Sequence, residues 1–397
     1  MSAPPRARPF DAALLTAALV WLLTLLSVLP VQTQVQLTTA ERVESAPWWP
    51  TKAAAARANY VGAAVCARCH RTKAASQART AMARTATRAA DSEVLSTHRV
   101  LTFGAGTYVH AITTEKGTSI YSVSDGTGTA SAVLAWAFGA GKVGQTFIFE
   151  RRGTMYEART SYFGTVDALD FTPGRGRDLP GNLEAALGRP LSAAETRRCF
   201  GCHTTAFSIQ GALPFRDMVP GVSCEACHGP GRAHSDAMEQ DRETEGLAAI
   251  VNPASFSPID SVDLCGACHA TYWDVTLAGE KGISALRSQP FRLQSSRCWG
   301  EGDGRITCVA CHDPHEPLQR DARFYDARCL NCHRAADAAP KPDRPALRTL
   351  EARSPHASSC KARARALCAS CHMPKYNVPE MHFAFTDHLI RIVPGGK

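Results

Sequence analysis

The chain has 397 residues, 45% of them apolar and 20% charged, with a formal net charge of +8. Only one uncharged run approaches the length of a bilayer span, so everything after it is expected outside the membrane. Sixteen cysteines and 14 histidines are the informative residues, and their spacing says more than the charge does.

In chain order, Arg6 and Arg8 precede Ala12–Pro30, 19 residues without a charge that include VWLLTLLSVL. A basic lead before such a run is a signal peptide or an uncleaved membrane anchor. Residues 1–35 are therefore expected to place the remainder outside the cytoplasm, and 36–57, with APWWP, read as a tether. CARCH at Cys66–His70 opens a segment expected to span residues 58–198, and Met82 follows in RTAMART. From about residue 98 to 165, HRVLTF, TYVHAITT, TSIYSVS, AVLAWAF, QTFIFERR and TMYEARTSYF alternate apolar with polar residues between glycine turns. That pattern predicts a small antiparallel sheet. LEAALGRPLSAAETRR predicts a helix leading into Cys199, and DRPALRTLEARS another, with Asp343 as a candidate N-cap.

Residues 199–397 then hold six more copies of C-x-x-C-H. They are CFGCH (Cys199, Cys202, His203), CEACH (Cys224, Cys227, His228), CGACH (Cys265, Cys268, His269), CVACH (Cys308, Cys311, His312), CLNCH (Cys329, Cys332, His333) and CASCH (Cys368, Cys371, His372). Chance supplies on the order of a few hundredths of one such match in this composition. The spacing suits covalent haem c. Two cysteines three apart on a helical turn can each add a sulfur across one porphyrin vinyl group, and the following histidine lies under the iron. In the first copy these are Cys66, Cys69 and His70. Zinc ribbons do not require a histidine after every pair, thioredoxin-like sites do not recur seven times, and disulfide scaffolds have no use for the histidine. Seven haems are expected, with His70, His203, His228, His269, His312, His333 and His372 as proximal ligands. Six haems in so short a C-terminal stretch leave little room for an apolar core. The expected fold is short helices and loops wrapped around stacked haems, with the sheet inserted between haems one and two.

Seven histidines remain: His98, His110, His234, His315, His356, His382 and His388. Equal numbers of haems and spare histidines suggest bis-histidine ligation, which is six-coordinate and suits electron transfer. His315 follows in CHDPH, and His234 follows a Gly-Pro-Gly turn in CHGPGRAH. His356 precedes motif seven, and His382 and His388 lie beyond it. For haem one, His98, His110 and Met82 are the local candidates. Cys298 and Cys360 stand outside the motifs and could pair with each other, or one could act as a soft ligand.

YVGAAVCARCH, GVSCEACHGPGRAH, IVNPASF, DLCGACH, SSRCW with GRITCVACHDPH, CASCHMPK and MHFAFTDHLIRI together resemble bacterial multihaem c-type cytochromes with doubled C-x-x-C-H modules, over roughly Asn59 to Pro394. That group often carries tetratricopeptide repeats, which are not evident here. It is similar to the tetrahaem cytochrome c of ammonia oxidisers, and more distantly to pentahaem nitrite reductase and octahaem hydroxylamine oxidoreductase. The resemblance implies electron transfer through stacked haem pairs in the periplasm or outside the cell. The expected partners are redox proteins, such as a membrane quinol-linked or other cytochrome complex, and the cytoplasmic membrane if the N-terminal segment is uncleaved. An alternative is a multihaem oxidoreductase acting on a small nitrogen or sulfur oxyanion at one five-coordinate haem. Haem one is where that is expected; Arg151, Arg152 and Arg159 of the neighbouring sheet could line an anion pocket there, although a solvated strand edge is the favoured reading. Nucleic acid is not an expected partner. Two propionates per haem offset the basic excess, bringing the holoprotein near neutrality when oxidised and to net negative charge when reduced.

Overall fold

The computed structural model describes residues 37–46, 57–206, 218–279, 281–300, 304–331, 333 and 368–391. The N-terminal apolar segment, half of the expected tether, the helix expected from Asp343, and Cys332, His356 and Cys360 lie outside these residues; the described half of the tether forms a helix, Thr39–Ser45, with Thr39, Ala40 and Val43 buried. Among the described residues, no helix is long and apolar enough to cross a membrane.

A nine-stranded antiparallel sheet dominates the first half of the unit that begins at Thr38. Its strands are β1 (Ala86–Arg88), β2 (Val100–Ala105), β3 (Tyr108–Glu115), β4 (Thr118–Ser124), β5 (Thr129–Phe138), β6 (Gln145–Arg151), β7 (Thr154–Phe163), β8 (Ala168–Phe171) and β9 (Gly188–Pro190). β2 to β8 form a meander in chain order, while β1 pairs with β5 and β9 with β7. Register shifts at Leu134/Trp136 and Thr146/Ile148 mark bulges that bend the long strands. The two ends of the meander consequently approach each other, and the Phe103 and Phe171 rings meet edge to face at 5.1 Å.

Alternation decides which side is dry. Leu101, Ile112, Tyr121, Val123, Leu134, Phe147 and Phe149 point into one core, closed by Leu187. Val100, Val109, Ile120 and Val133 point outward and are exposed. The second half of β5 is buried on both faces. There Trp136 and Phe138 join Ile148, Met155, Leu191, Met218 and Phe200 in a second core. Phe200 lies inside motif two, so the sheet grips the helix that carries that motif.

The sheet is larger than the alternation foretold, because β1, β8 and β9 are too short to show a period. The single helix expected before Cys199 is also broken. It forms Leu183–Leu187 and Ala193–His203, with β9 between them. Gly188 lies against β7, where an added Cβ would fall 2.5 Å from the Glu157 carbonyl oxygen. The second helix restarts at Ser192, which forms a capping box with Glu195. The later motifs sit on short helices: Cys224–His228, Pro258–His269, Cys308–Cys311, Ala322–Leu330 and Cys368–His372. Two further pairs complete the strands: β10 (Thr204–Thr205) with β11 (Val219–Pro220), and β12 (Lys375–Val378) with β13 (Phe383–Thr386).

Candidate haem sites

Each motif whose two cysteines are both described, one to five and seven, places them on a helical turn. The backbone N–H of the histidine reaches the first cysteine's carbonyl in motifs one, five and six, at 2.9, 3.0 and 3.0 Å. Cysteines one turn apart project on the same side, as attachment to one porphyrin edge requires. Helix ends keep the histidine next to that face.

The imidazoles are oriented by their Nδ1 atoms. His203 donates from Nδ1 to the Thr85 carbonyl at 2.9 Å, His228 to Val251 at 2.8 Å, and His372 to Arg391 at 2.6 Å. A carbonyl acceptor at Nδ1 puts the lone pair on Nε2, the nitrogen that can bind iron. His234 and His388 follow the same pattern, donating to Gly246 at 2.9 Å and Thr386 at 3.1 Å. Burial lowers the pKa of His203, His269 and His312 and brings His388 down to about 4. Burial thus favours the neutral ring, the form that ligates.

Three ring pairs stand out. His70 and His234 have centroids 6.4 Å apart with planes inclined by 21°, and His228 and His315 are 5.9 Å apart at 13°. His312 and His388 are 6.2 Å apart at 38°. An imidazole nitrogen sits about 2.0 Å from a first-row metal, so two rings on opposite sides of one iron have centroids about 6 Å apart. The donor set and its spacing fit haem iron.

The remaining histidine candidates have other partners. His98 donates or accepts at both nitrogens, to the Val94 carbonyl at 2.9 Å and Asp167 at 2.9 Å. His110 is buried in the sheet core, 2.8 Å from the Tyr121 hydroxyl, and burial followed by Arg159 lowers its pKa to about 4. His382 bonds Asp170 through Nε2 at 2.8 Å. Met82 is half-buried, and its carbonyl accepts from Val222. The sheet packs on motif two: Phe200 meets Trp136 and Phe138 edge-on at 5.1 and 5.0 Å, and Phe138 stacks on His203 at 4.9 Å. Two of the three arginines that could line an anion pocket are engaged elsewhere. Arg151 pairs with Glu184, and Arg159 donates to the carbonyls of Arg175, Gly176 and Asp178. Arg152 sits in a turn with φ 48°.

The motifs are also neighbours of one another. The thiols of Cys66 and Cys224, of Cys202 and Cys268, and of Cys265 and Cys308 are in hydrogen-bond contact. These sulfurs stand where thioether sulfurs lie once haem is attached. The helices Cys308–Cys311 and Cys368–His372 both pack on Ala322–Leu330. Each of the seven motifs is thus a neighbour of at least one other.

Two carboxylates matter here that the sequence reading did not single out. Glu225, inside motif three, is 2% exposed and accepts from the N–H groups of Val61, Gly62 and Gly231, each at 2.8 Å. Asp387 holds Arg292 in a two-pronged pair, 2.8 Å to Nε and 2.7 Å to Nη2, and also bonds Arg391. It adjoins His388, whose carbonyl accepts from Ser296 at 3.3 Å. Glycines at 62 and 231, placed just before a motif helix and a spare histidine, are the sequence signal that a close backbone approach occurs there.

A family described as cytochrome c554 and c-prime matches residues 182–229, which contain motifs two and three. Cytochrome c-554 of Nitrosomonas europaea is similar at 27% identity over 97 residues, 22% of this chain. The chain spans 41% of that relative's length. A solved structure of the outer cell wall cytochrome OcwA aligns over 84% of this chain and 80% of its own, with a TM-score of 0.47 and 13% identity. The repeated C-x-x-C-H motifs, their orientation for iron and these sequence matches make the chain a multihaem c-type cytochrome.

Proposed function

We propose that the chain relays electrons outside the cytoplasm through seven covalently attached haems. The observation that carries this reading is the set of three imidazole pairs spaced for one iron each. Haem, when attached, supplies an iron that cycles between ferric and ferrous states. The protein's own residues do the rest. The cysteines would bind the macrocycle, the carbonyls at Nδ1 orient His203, His228 and His372, and His234, His315 and His388 would supply the second nitrogen ligand at haems one, three and five. At these three irons, two nitrogen ligands would leave no site for a substrate and require little reorganisation on electron transfer. The contacts between motifs keep neighbouring haems close enough to exchange electrons. The engagement of Arg151 and Arg159 within the sheet weighs against the oxyanion-converting alternative at haem one. On this reading the donor and acceptor are redox proteins, a quinol-linked membrane complex or another cytochrome.

The test is a haem-to-protein ratio on the purified chain, followed by low-temperature electron paramagnetic resonance of the oxidised protein. Seven haems, with low-spin signals from haems one, three and five, are expected. A ratio clearly below seven, or three or more high-spin haems in intact protein, overturns the reading.

A further inference from the structure

We propose that Glu225 is the positioning residue that holds His70 and His234 in ligating geometry at haem one; this rests on the ligand pairing above. The side chain lies between the two cysteines of motif three, yet its carboxylate serves motif one. Oε2 accepts from Gly62 N–H, and Oε1 accepts from Val61 and Gly231, all at 2.8 Å. Val61 and Gly62 lead directly into the helix Ala63–Cys69, whose C-cap is His70. Gly231 is the N-cap of the helix Arg232–Glu239, which presents His234 in its first turn. One buried carboxylate therefore ties together the start of both arms that face the same iron.

The chemistry favours a carboxylate. Three N–H donors compensate its charge in a site that is 2% exposed, and charged acceptors make the stronger hydrogen bonds. The donors are also specialised. Gly62 has φ 82°, a conformation that suits glycine and orients its N–H at Glu225. An added Cβ on Gly231 would fall 3.0 Å from Val61 Cγ2 and 3.2 Å from Glu225 Oε1. The contacts from the other side of motif one, Arg68–Glu239 and Lys73–Asp313, are exposed ion pairs that hold geometry weakly.

The experiment compares Glu225→Ala, Glu225→Gln and Gly231→Ala with His234→Ala in the full-length holoprotein. Haem content and low-temperature electron paramagnetic resonance are read together. In Glu225→Ala, haem content is expected to stay unchanged while one low-spin signal, the one lost in His234→Ala, converts to high spin. Glu225→Gln retains an acceptor oxygen and should convert a smaller fraction, as should Gly231→Ala, which crowds the clamp without removing it. A fully low-spin Glu225→Ala protein overturns the proposal, as does high-spin signal spread over several haems, which indicates general loosening. If Glu225→Ala does not accumulate with full haem content, the other two variants decide, and wholly low-spin spectra in both overturn it. If His234→Ala itself leaves haem one low-spin, the ligand pairing fails instead.

Discussion

Phe200→Ala tests the grip of the sheet on motif two. The ring is fully buried, with Trp136 and Phe138 edge-on at 5.1 and 5.0 Å and Leu191, Met155 and Met218 in the same cluster. Truncating a buried phenylalanine costs about 3–5 kcal/mol through lost transfer energy and the cavity left behind. Each edge-to-face pair contributes about 0.5–1.5 kcal/mol beyond burial, which places this site toward the upper part of that range. The cysteines are untouched, so haem content should not change. The assay is denaturant unfolding followed by far-ultraviolet circular dichroism, with Phe200→Leu as a control expected to lose under about 1.5 kcal/mol. Visible spectra should show a shift at one haem, because Phe138, stacked 4.9 Å from His203, loses its support. A loss below about 1 kcal/mol for Phe200→Ala, in the range of ordinary surface changes, refutes the packing argument.

His234→Ala, His315→Ala and His388→Ala should each convert one different haem to high spin, whereas His98→Ala should convert none; magnetic circular dichroism of the ferric proteins distinguishes these outcomes. Asp387→Ala should cost about 3 kcal/mol, because Arg292 is left partly buried without its partner, and a chemical-denaturation midpoint unchanged from the parent contradicts this. Burial alone would raise the Asp387 carboxyl, but the hydrogen bonds from Arg292 and Leu389 override it and hold the pKa below the ordinary value. A depressed carboxylate contributes its stability above the unfolded value of about 4 and loses it as pH falls through the folded value. Acid titration should therefore release haem five to high spin only as pH falls below that ordinary value; high-spin signal from haem five already present well above pH about 4 counts against it.

Legibility differed by the range of the interactions involved. The motifs are local, since a three-residue spacing and an adjacent histidine need nothing beyond one helical turn. The meander was visible because β3 to β7 keep their alternation between glycine turns. β9 was not visible, since Gly188–Pro190 becomes a strand only through β7, and its neighbours on either side favour helix. The imidazole pairs were the least legible feature. His98 and His110 are near haem one along the chain, but the sheet claims both, while His234 comes from beyond motif three. Glu225 was overlooked because a charged residue inside a C-x-x-C gap reads as solvated unless the glycines at 62 and 231 are weighed with it.

The three imidazole pairs have an order in time as well as in space. Each joins a motif to a histidine that is made later: His70 to His234, His228 to His315, His312 to His388. A chain threaded through a membrane with its N-terminus leading would complete haem one first, haem three next and haem five last. Until then each waiting iron would have one face open to oxygen or peroxide. On the proposed pairing, maturation would proceed as overlapping closures, each sealed by a segment still to come, and shortening the chain from its C-terminal end should reopen the haems in reverse sequence.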